Sequence, residues 1–247
     1  MGLIQSMEKQ GNFLFKYRGQ FPVILFLLVI PFVHSTDYHN INLQNQKFSL
    51  YIAITISIIG TLVRFYTIGT TTEGTSGRNT EKQVATVLNS TGIYSMLRHP
   101  LYFGNYLIWL GIAISTFNFY FIIIMSLIFW IYYERIIFAE EQFLKKKFGV
   151  KFSNWSVNLP AFFPSLLQFK KSKTPFSMIS VLRREYSGVL ATIIAFTYIE
   201  VLRNYFKDKV WEISTLSCQF LIVIIVIVLV LRSLKHYTKI LDETGRS

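Results

Sequence analysis

Residues 98–138 read RHPLYFGNYLIWLGIAISTFN followed by FYFIIIMSLIFWIYYERIIF, two apolar runs, 100–117 and 119–138, joined at Thr116-Phe117-Asn118. About 20 apolar residues let a helix cross the hydrocarbon core of a bilayer. In lipid, only a helix or a closed barrel satisfies its own backbone. The joint is too short for anything but a tight helical hairpin, so the two helices must be neighbours. Pro100 suits the first turn of a helix, where a missing N–H costs nothing, and it holds His99 extended just before that turn. Arg98 and His99 therefore stand at the mouth of a helix N-terminus whose unpaired donors favour an anionic group.

The same pattern recurs on both sides of this hairpin. Residues 13–34 predict a short first span, broken by Pro22 and Pro31 and entered through Lys16 and Arg18, and 48–68 predict a second that ends near Arg64. Residues 69–99 are polar and rich in Gly and Thr, with a short amphipathic piece near Glu81–Leu88. Residues 139–148 continue as a helix that Gly149 can end. A basic, proline-punctuated interfacial stretch, 150–185, leads to two further spans at 186–206 and 213–234. With 52% hydrophobic and 17% aromatic residues in 247, a soluble domain is excluded. The expected fold is an all-α polytopic membrane bundle of about six transmembrane helices. It forms one domain, 1–247, with a core motif region at 60–165 and a two-helix C-terminal extension at 176–247.

The net charge of +12 is concentrated beside the apolar runs, which points to anionic lipid headgroups and cytoplasmic loops rather than to nucleic acid. In the six-span arrangement Lys47, Arg203, Lys207 and Lys209 fall on one face and the other 21 of 25 Lys and Arg on the opposite one. The positive-inside rule makes that face cytoplasmic, with both termini and residues 69–99 and 139–185. The one cysteine, Cys218, lies in an apolar run and excludes a disulfide framework. It is expected to be a small buried apolar residue. The first apolar stretch lacks a small-residue cleavage site and is expected to remain as a span.

Several groups of residues carry chemistry. Gly104, Gly111 and Ser115 share one helix face, which admits either another backbone or a flat ligand. Glu134 and Arg135 end the fourth span and Glu140-Glu141 follow. Glu134 and Glu141 share a face, and ionisable groups there suggest a site or a pair. Glu141 also has the spacing of a surface pair with Lys145. The hairpin sets these residues beside Arg98, His99 and Tyr102. The loop Thr70–Thr80, with Gly74, Gly77 and Arg78, reads either as a phosphate nest or as a plain loop. Arg183 and Arg184 read as a topogenic anchor or as contacts to an acceptor headgroup. His34, Asp37 and His39 are too loosely spaced to predict a metal site.

The pattern GIYSMLRHPLYFGN, then EEQFLKKKFG, then NLPAFFP resembles the isoprenylcysteine carboxyl methyltransferase and phospholipid methyltransferase superfamily of membrane enzymes. The resemblance implies S-adenosylmethionine as methyl donor, held from the cytosol, and a lipid or lipid-linked acceptor. It implies that His99, Pro100, Tyr102, Gly104 and Asn105 line the cofactor pocket and that Glu140 and Glu141 meet the polar ends of the cofactor. Arg98 would support the site or the acceptor; the hairpin itself adds Glu134 and Arg135 to Arg98 as candidate catalytic residues, and Arg78, Arg183 and Arg184 are the candidates for contacting the acceptor. Two departures stand out: Arg135 replaces an arginine usual at 136 or 138, and Phe152 and Trp155 stand where tyrosines are usual. The Thr70–Thr80 loop and the last two spans look similar to a bacterial inner-membrane branch that methylates the lipid A 1-phosphate.

Methyl transfer from a sulfonium needs no metal, only alignment and exclusion of water. An ionised phosphate or carboxylate needs no general base, whereas an amine does, which places the amine last, and the resemblance to the lipid A branch places phosphate before carboxylate. A sterol-reductase-like enzyme and a non-enzymatic lipid-binding scaffold are the competing readings.

Overall fold

The computed structural model describes residues 2–74 and 83–246. It is all helical: α1 Leu3–Lys16, α2 Phe21–Ser35, α3 Leu43–Gly69, α4 Pro100–Ile114, α5 Phe119–Phe148, α6 Val150–Ser156, α7 Met178–Asp208 and α8 Thr215–Tyr237. Helices α3, α5, α7 and α8 are long and apolar enough to cross a membrane, and α2 and α4 contribute shorter apolar segments. The chain is an integral membrane protein. Asn42, Asn118, Ser177 and Ser214 cap α3, α5, α7 and α8 by accepting from backbone N–H groups two or three residues on. At Gly149, φ is +53°, a conformation that suits glycine and stops α5.

The core lies between α2, α4, α5 and α7, where Leu25, Val29, Val33, Met125, Phe129 and Ile199 are almost fully buried. The hairpin α4–α5 is present, and its turn is tied to the α2–α3 connection. The Tyr38 hydroxyl donates to the Thr116 carbonyl at 3.1 Å, and Asn118 Nδ2 donates to Thr36 Oγ1 at 2.8 Å. The most intimate neighbour of α4 is nevertheless α3. A Cβ on Gly60 would lie 2.6 Å from the Gly104 carbonyl oxygen, and one on Gly111 would lie 2.3 Å from that of Ala53. The glycine face therefore admits a backbone, not a ligand.

Two further expectations are corrected, and one stretch takes a form that the sequence left open. The first apolar stretch is not one span: the chain turns at Tyr17–Gln20, and α1 is a separate helix. Gly19 and Pro22 flank this break, where a continuous helix is unfavourable. Helix α1 lies against α5, with Gly11 so close that a Cβ would be 2.0 Å from the Arg135 carbonyl oxygen. The described part of the amphipathic piece, residues 83–88, is not helical. Thr86 instead donates its N–H to the Gly74 carbonyl at 2.9 Å and its hydroxyl to that of Glu73 at 3.0 Å, which ties the segment to the residues that follow α3. Cys218 is exposed, because α8 packs on one edge of the bundle with only Val228 buried.

The segment after α8 folds back to join the end of α3 to the start of α7. Arg246 Nη1 donates to the carbonyls of Gly69 (2.9 Å) and Thr71 (3.2 Å), Glu243 accepts from Ser177 and Ser180, and Asp242 pairs with Arg183.

Candidate active site

The end of α3, the start of α4, the end of α5 and the start of α7 gather at one end of the bundle around a cavity of about 380 Å3. The Arg98-His99-Pro100 stretch forms its floor. Its backbone pairs with the proline-containing stretch that follows α6: Arg98 N–H donates to the Pro160 carbonyl at 2.9 Å, His99 N–H to that of Ala161 at 3.2 Å, and Ser165 N–H to that of Met96 at 2.9 Å. The Arg98 side chain strengthens this seam. Its Nη1 reaches the carbonyls of Ser156 (2.9 Å) and Leu159 (2.8 Å), while Nε donates to Glu141 Oε1 at 2.7 Å.

His99 is 6% exposed and sits between two carboxylates, with Nε2 3.0 Å from Glu141 Oε1 and Nδ1 3.4 Å from Glu140 Oε2. Only the doubly protonated ring presents a donor to both. Burial works against the charged ring, but the hydrogen bonds and charges of Glu140 and Glu141 outweigh it and raise the pKa from 6.5 to about 9. A raised pKa stabilises the fold fully below 6.5, and this contribution is lost as pH rises through about 9. Thermal melts of the wild type should therefore fall between these limits, and those of His99→Gln should be flatter. Parallel pH profiles for the two proteins would contradict the carboxylate clamp.

Tyr102, one turn into α4, stacks on His99 with ring centroids 5.6 Å apart, and Tyr133 packs on Tyr102 at 4.7 Å. Asn105 Nδ2 donates to the Tyr133 hydroxyl at 3.1 Å. Arg98, His99, Pro100, Tyr102, Asn105, Glu140 and Arg184 all border the cavity, with Glu141 directly behind Arg98 and His99.

The other expected residues lie elsewhere. Gly104 faces α3, where a Cβ would be 2.7 Å from Arg64 Cγ. Glu134 shares the face of Glu141, but at seven residues' remove it is two turns, roughly 10 Å, further along α5. It is half exposed and pairs with Arg135 at 3.7 Å. Arg135 lies on the side that packs against α1. Arg183 points to the C-terminal segment, onto Asp242 and the Leu241 carbonyl. Arg78 lies outside the described residues. At the opposite end of the bundle, the His34 ring packs on Phe206, Asp37 accepts from His39 N–H and Asn40, and His39 Nε2 meets the Lys207 carbonyl. Among the described residues no group of three His, Cys, Asp or Glu is placed to hold a metal.

Sequence reasoning missed Arg18, Arg64, Tyr94, Tyr133 and Glu185, all of which line the cavity, as does Trp155. Arg64 donates from Nε and Nη2 to the two oxygens of Glu185 at 2.7 and 2.8 Å and from Nη1 to Asn105 Oδ1. An arginine interrupting an apolar run was the available signal. Trp155 Nε1 is buried at the cavity wall without an acceptor among the described residues.

Residues 48–151 match the model of the phospholipid methyltransferase family. The chain is 30% identical over 123 residues to the nickel-cobalt-cadmium resistance protein NccN of Alcaligenes xylosoxydans xylosoxydans, covering 49% of this chain and 57% of that protein. It is 34% identical over 87 residues to the cobalt-zinc-cadmium resistance protein CzcN of Cupriavidus metallidurans, covering 35% and 40%. It is 31% identical over 78 residues to the protein-S-isoprenylcysteine O-methyltransferase of Schizosaccharomyces pombe, covering 32% and 33%. The chain thus spans about half or less of the length of these relatives. No solved structure matches it significantly. The resemblance read from the RHPLYFG and EEQFL stretches is borne out.

Proposed function

We propose, from the match of residues 48–151 to the phospholipid methyltransferase family, that the protein transfers a methyl group from S-adenosylmethionine to an anionic, lipid-linked acceptor. The observation that carries this reading is the convergence of Arg98, His99, Tyr102, Glu140 and Trp155 on one cavity at the polar end of a membrane bundle. The excess of Lys and Arg on that side supports a cytoplasmic opening, in a bacterial inner membrane by the resemblance to that branch.

The residues present fit the cofactor. The unpartnered Trp155 Nε1 is a donor for a carboxylate or ribose oxygen, and Glu140 is an acceptor for ribose hydroxyls or an ammonium group. Tyr102 and Tyr133, packed against His99, Phe129 and each other, give the cavity an aromatic wall beside which a base can lie. When bound, the cofactor supplies a methyl group on a sulfonium that departs as a neutral thioether. The protein's part is to hold the wall rigid and dry: Glu141 fixes both Arg98 and His99, and Arg98 pins the stretch 156–161 over the site.

The charge around the cavity favours an anionic acceptor. Arg18, Arg64, Arg98, Arg184 and a protonated His99 face the carboxylates of Glu140 and Glu185, with Glu141 behind. An amine must lose a proton before attack, and His99 already carries one below about pH 9. A lipid phosphate such as the 1-phosphate of lipid A comes first and a carboxylate second. Calorimetry with S-adenosylhomocysteine should give micromolar affinity, about −8 kcal/mol. No measurable heat at millimolar ligand would return the protein to the class of lipid-binding scaffolds.

A further inference from the structure

A second cavity of about 200 Å3 lies beside the first, between α2, α3, α4 and α7. Its wall is mostly apolar, with Phe26, Ile108, Trp109, Ile112 and Ala195. Arg64, Asn105, Glu185 and Gly188 border both cavities, so the partition between the polar and apolar chambers is made of these four residues. Glu185 and Gly188 come from α7, beyond the part of the chain that matches the family.

Arg64 is held for a purpose other than neutralisation alone. A guanidinium has five N–H groups. Glu185 takes two and Asn105 one, which fixes the plane of the group and leaves two donors. Planar paired donors are suited to a phosphate or carboxylate. Glu185 is 5% exposed, so the pair is locked in a poorly solvated place where a misaligned charge is costly. The adjoining apolar chamber is larger than a 150 Å3 cavity that accepts benzene, enough for a short stretch of hydrocarbon.

We propose that Arg64 is the acceptor-positioning residue: it seats the anionic head of a single-chain or lipid-linked phosphate or carboxylate, while the cavity beside Trp109 takes the first part of the attached hydrocarbon. Glu185 and Asn105 are positioning residues for Arg64. The inference deepens the methyltransferase reading and rests on it for the word acceptor, but its test does not need turnover.

The protein in alkyl maltoside micelles is titrated with dodecyl phosphate brominated in its chain, with the equally brominated dodecanol, and with inorganic phosphate. Bromine quenches tryptophan on contact, and the Trp109 component is the part lost in Trp109→Phe. The alkyl phosphate should quench this component at a concentration at least about tenfold below the alcohol, since charge-assisted paired hydrogen bonds distinguish the heads. Inorganic phosphate at the same concentration should not compete. Arg64→Gln should abolish the preference for phosphate over alcohol and Arg64→Lys should keep part of it, a pattern that a purely structural role does not produce.

Gly188→Leu provides an independent check. A Cβ there meets only Glu185 Oε2, at 3.9 Å, so a larger side chain has room to enter the partition and should abolish quenching by the alkyl phosphate. Equal quenching by alcohol and phosphate, a preference that survives Arg64→Gln, or displacement by inorganic phosphate alone overturns the proposal. Calorimetry with S-adenosylhomocysteine on the same wild-type sample separates the two claims. Cofactor affinity without head selectivity removes the seat and keeps the enzyme, and the reverse result keeps the seat and removes the enzyme.

Discussion

Glu141→Ala should lower the affinity for S-adenosylhomocysteine by about 100-fold and destabilise the protein by about 3 kcal/mol, the scale of removing one partner from a largely buried charge pair. Glu141 Oε1 receives both Arg98 Nε and His99 Nε2, so one truncation releases two cations that share the cavity floor. With its side chain 23% exposed, solvent relieves only part of the loss. His99 keeps Glu140, and Arg98 keeps the carbonyls of Ser156 and Leu159, so the fold survives while the geometry of the floor does not. Glu141→Gln, which retains one neutral acceptor, should fall between the wild type and the alanine variant. Calorimetry and thermal melts read both effects, and wild-type values in Glu141→Ala would remove this residue from the site.

The other large effect is steric. In Gly111→Val, the new Cβ would lie 2.2 Å from Ser57 Oγ and 2.3 Å from the Ala53 carbonyl oxygen, and the backbone of α3 cannot yield as a flexible side chain would. Helices α3 and α4 must separate, at a cost of about 3 kcal/mol or more. The separation also breaks the Ser57 hydroxyl bond to the Ile108 carbonyl, now 3.0 Å, and pulls Arg64 from Asn105. Cofactor affinity and head selectivity should thus suffer together with stability. Gly19→Ala, where a Cβ meets nothing within 4 Å, is the matched control and should melt within about 0.5 kcal/mol of the wild type. Equal melting of Gly111→Val and the control would show that the helices are not in backbone contact.

These two predictions mark the boundary of what was legible in the sequence. Local pattern located the hairpin, the continuation of α5 to Gly149 and the helix start at Pro100, because apolar periodicity, a glycine stop and a proline entry each act over a few residues. It also brought Arg98 and His99 to Glu140 and Glu141, since a hairpin fixes which ends meet.

Choices between equal spacings were not legible. The Gly104–Gly111 face suited a ligand as well as a helix, and Glu141 had the spacing for Lys145 but turned to Arg98 and His99. The bond between Arg64 and Glu185 joins residues 121 positions apart, and no periodicity in either helix announces it. Glu134 and Arg135 were placed on the site by the shared face of Glu134 and Glu141 and by the hairpin, although seven residues carry Glu134 two turns along the axis and Arg135 turns to another side.

The seam between residues 96–99 and 160–165 has a consequence for the history of the chain. Because two backbone carbonyls of the later stretch receive the N–H groups of Arg98 and His99, the two stretches form one structural unit, although some sixty positions separate them. Substitution within either is tolerable wherever only backbone is read. A single inserted residue between Gly149 and Leu159 is different in kind, for it would offer the arginine and histidine the wrong carbonyls and shift the register of the cavity floor. Length in that interval should therefore be held more strictly among descendants of this chain than the identity of the residues that fill it.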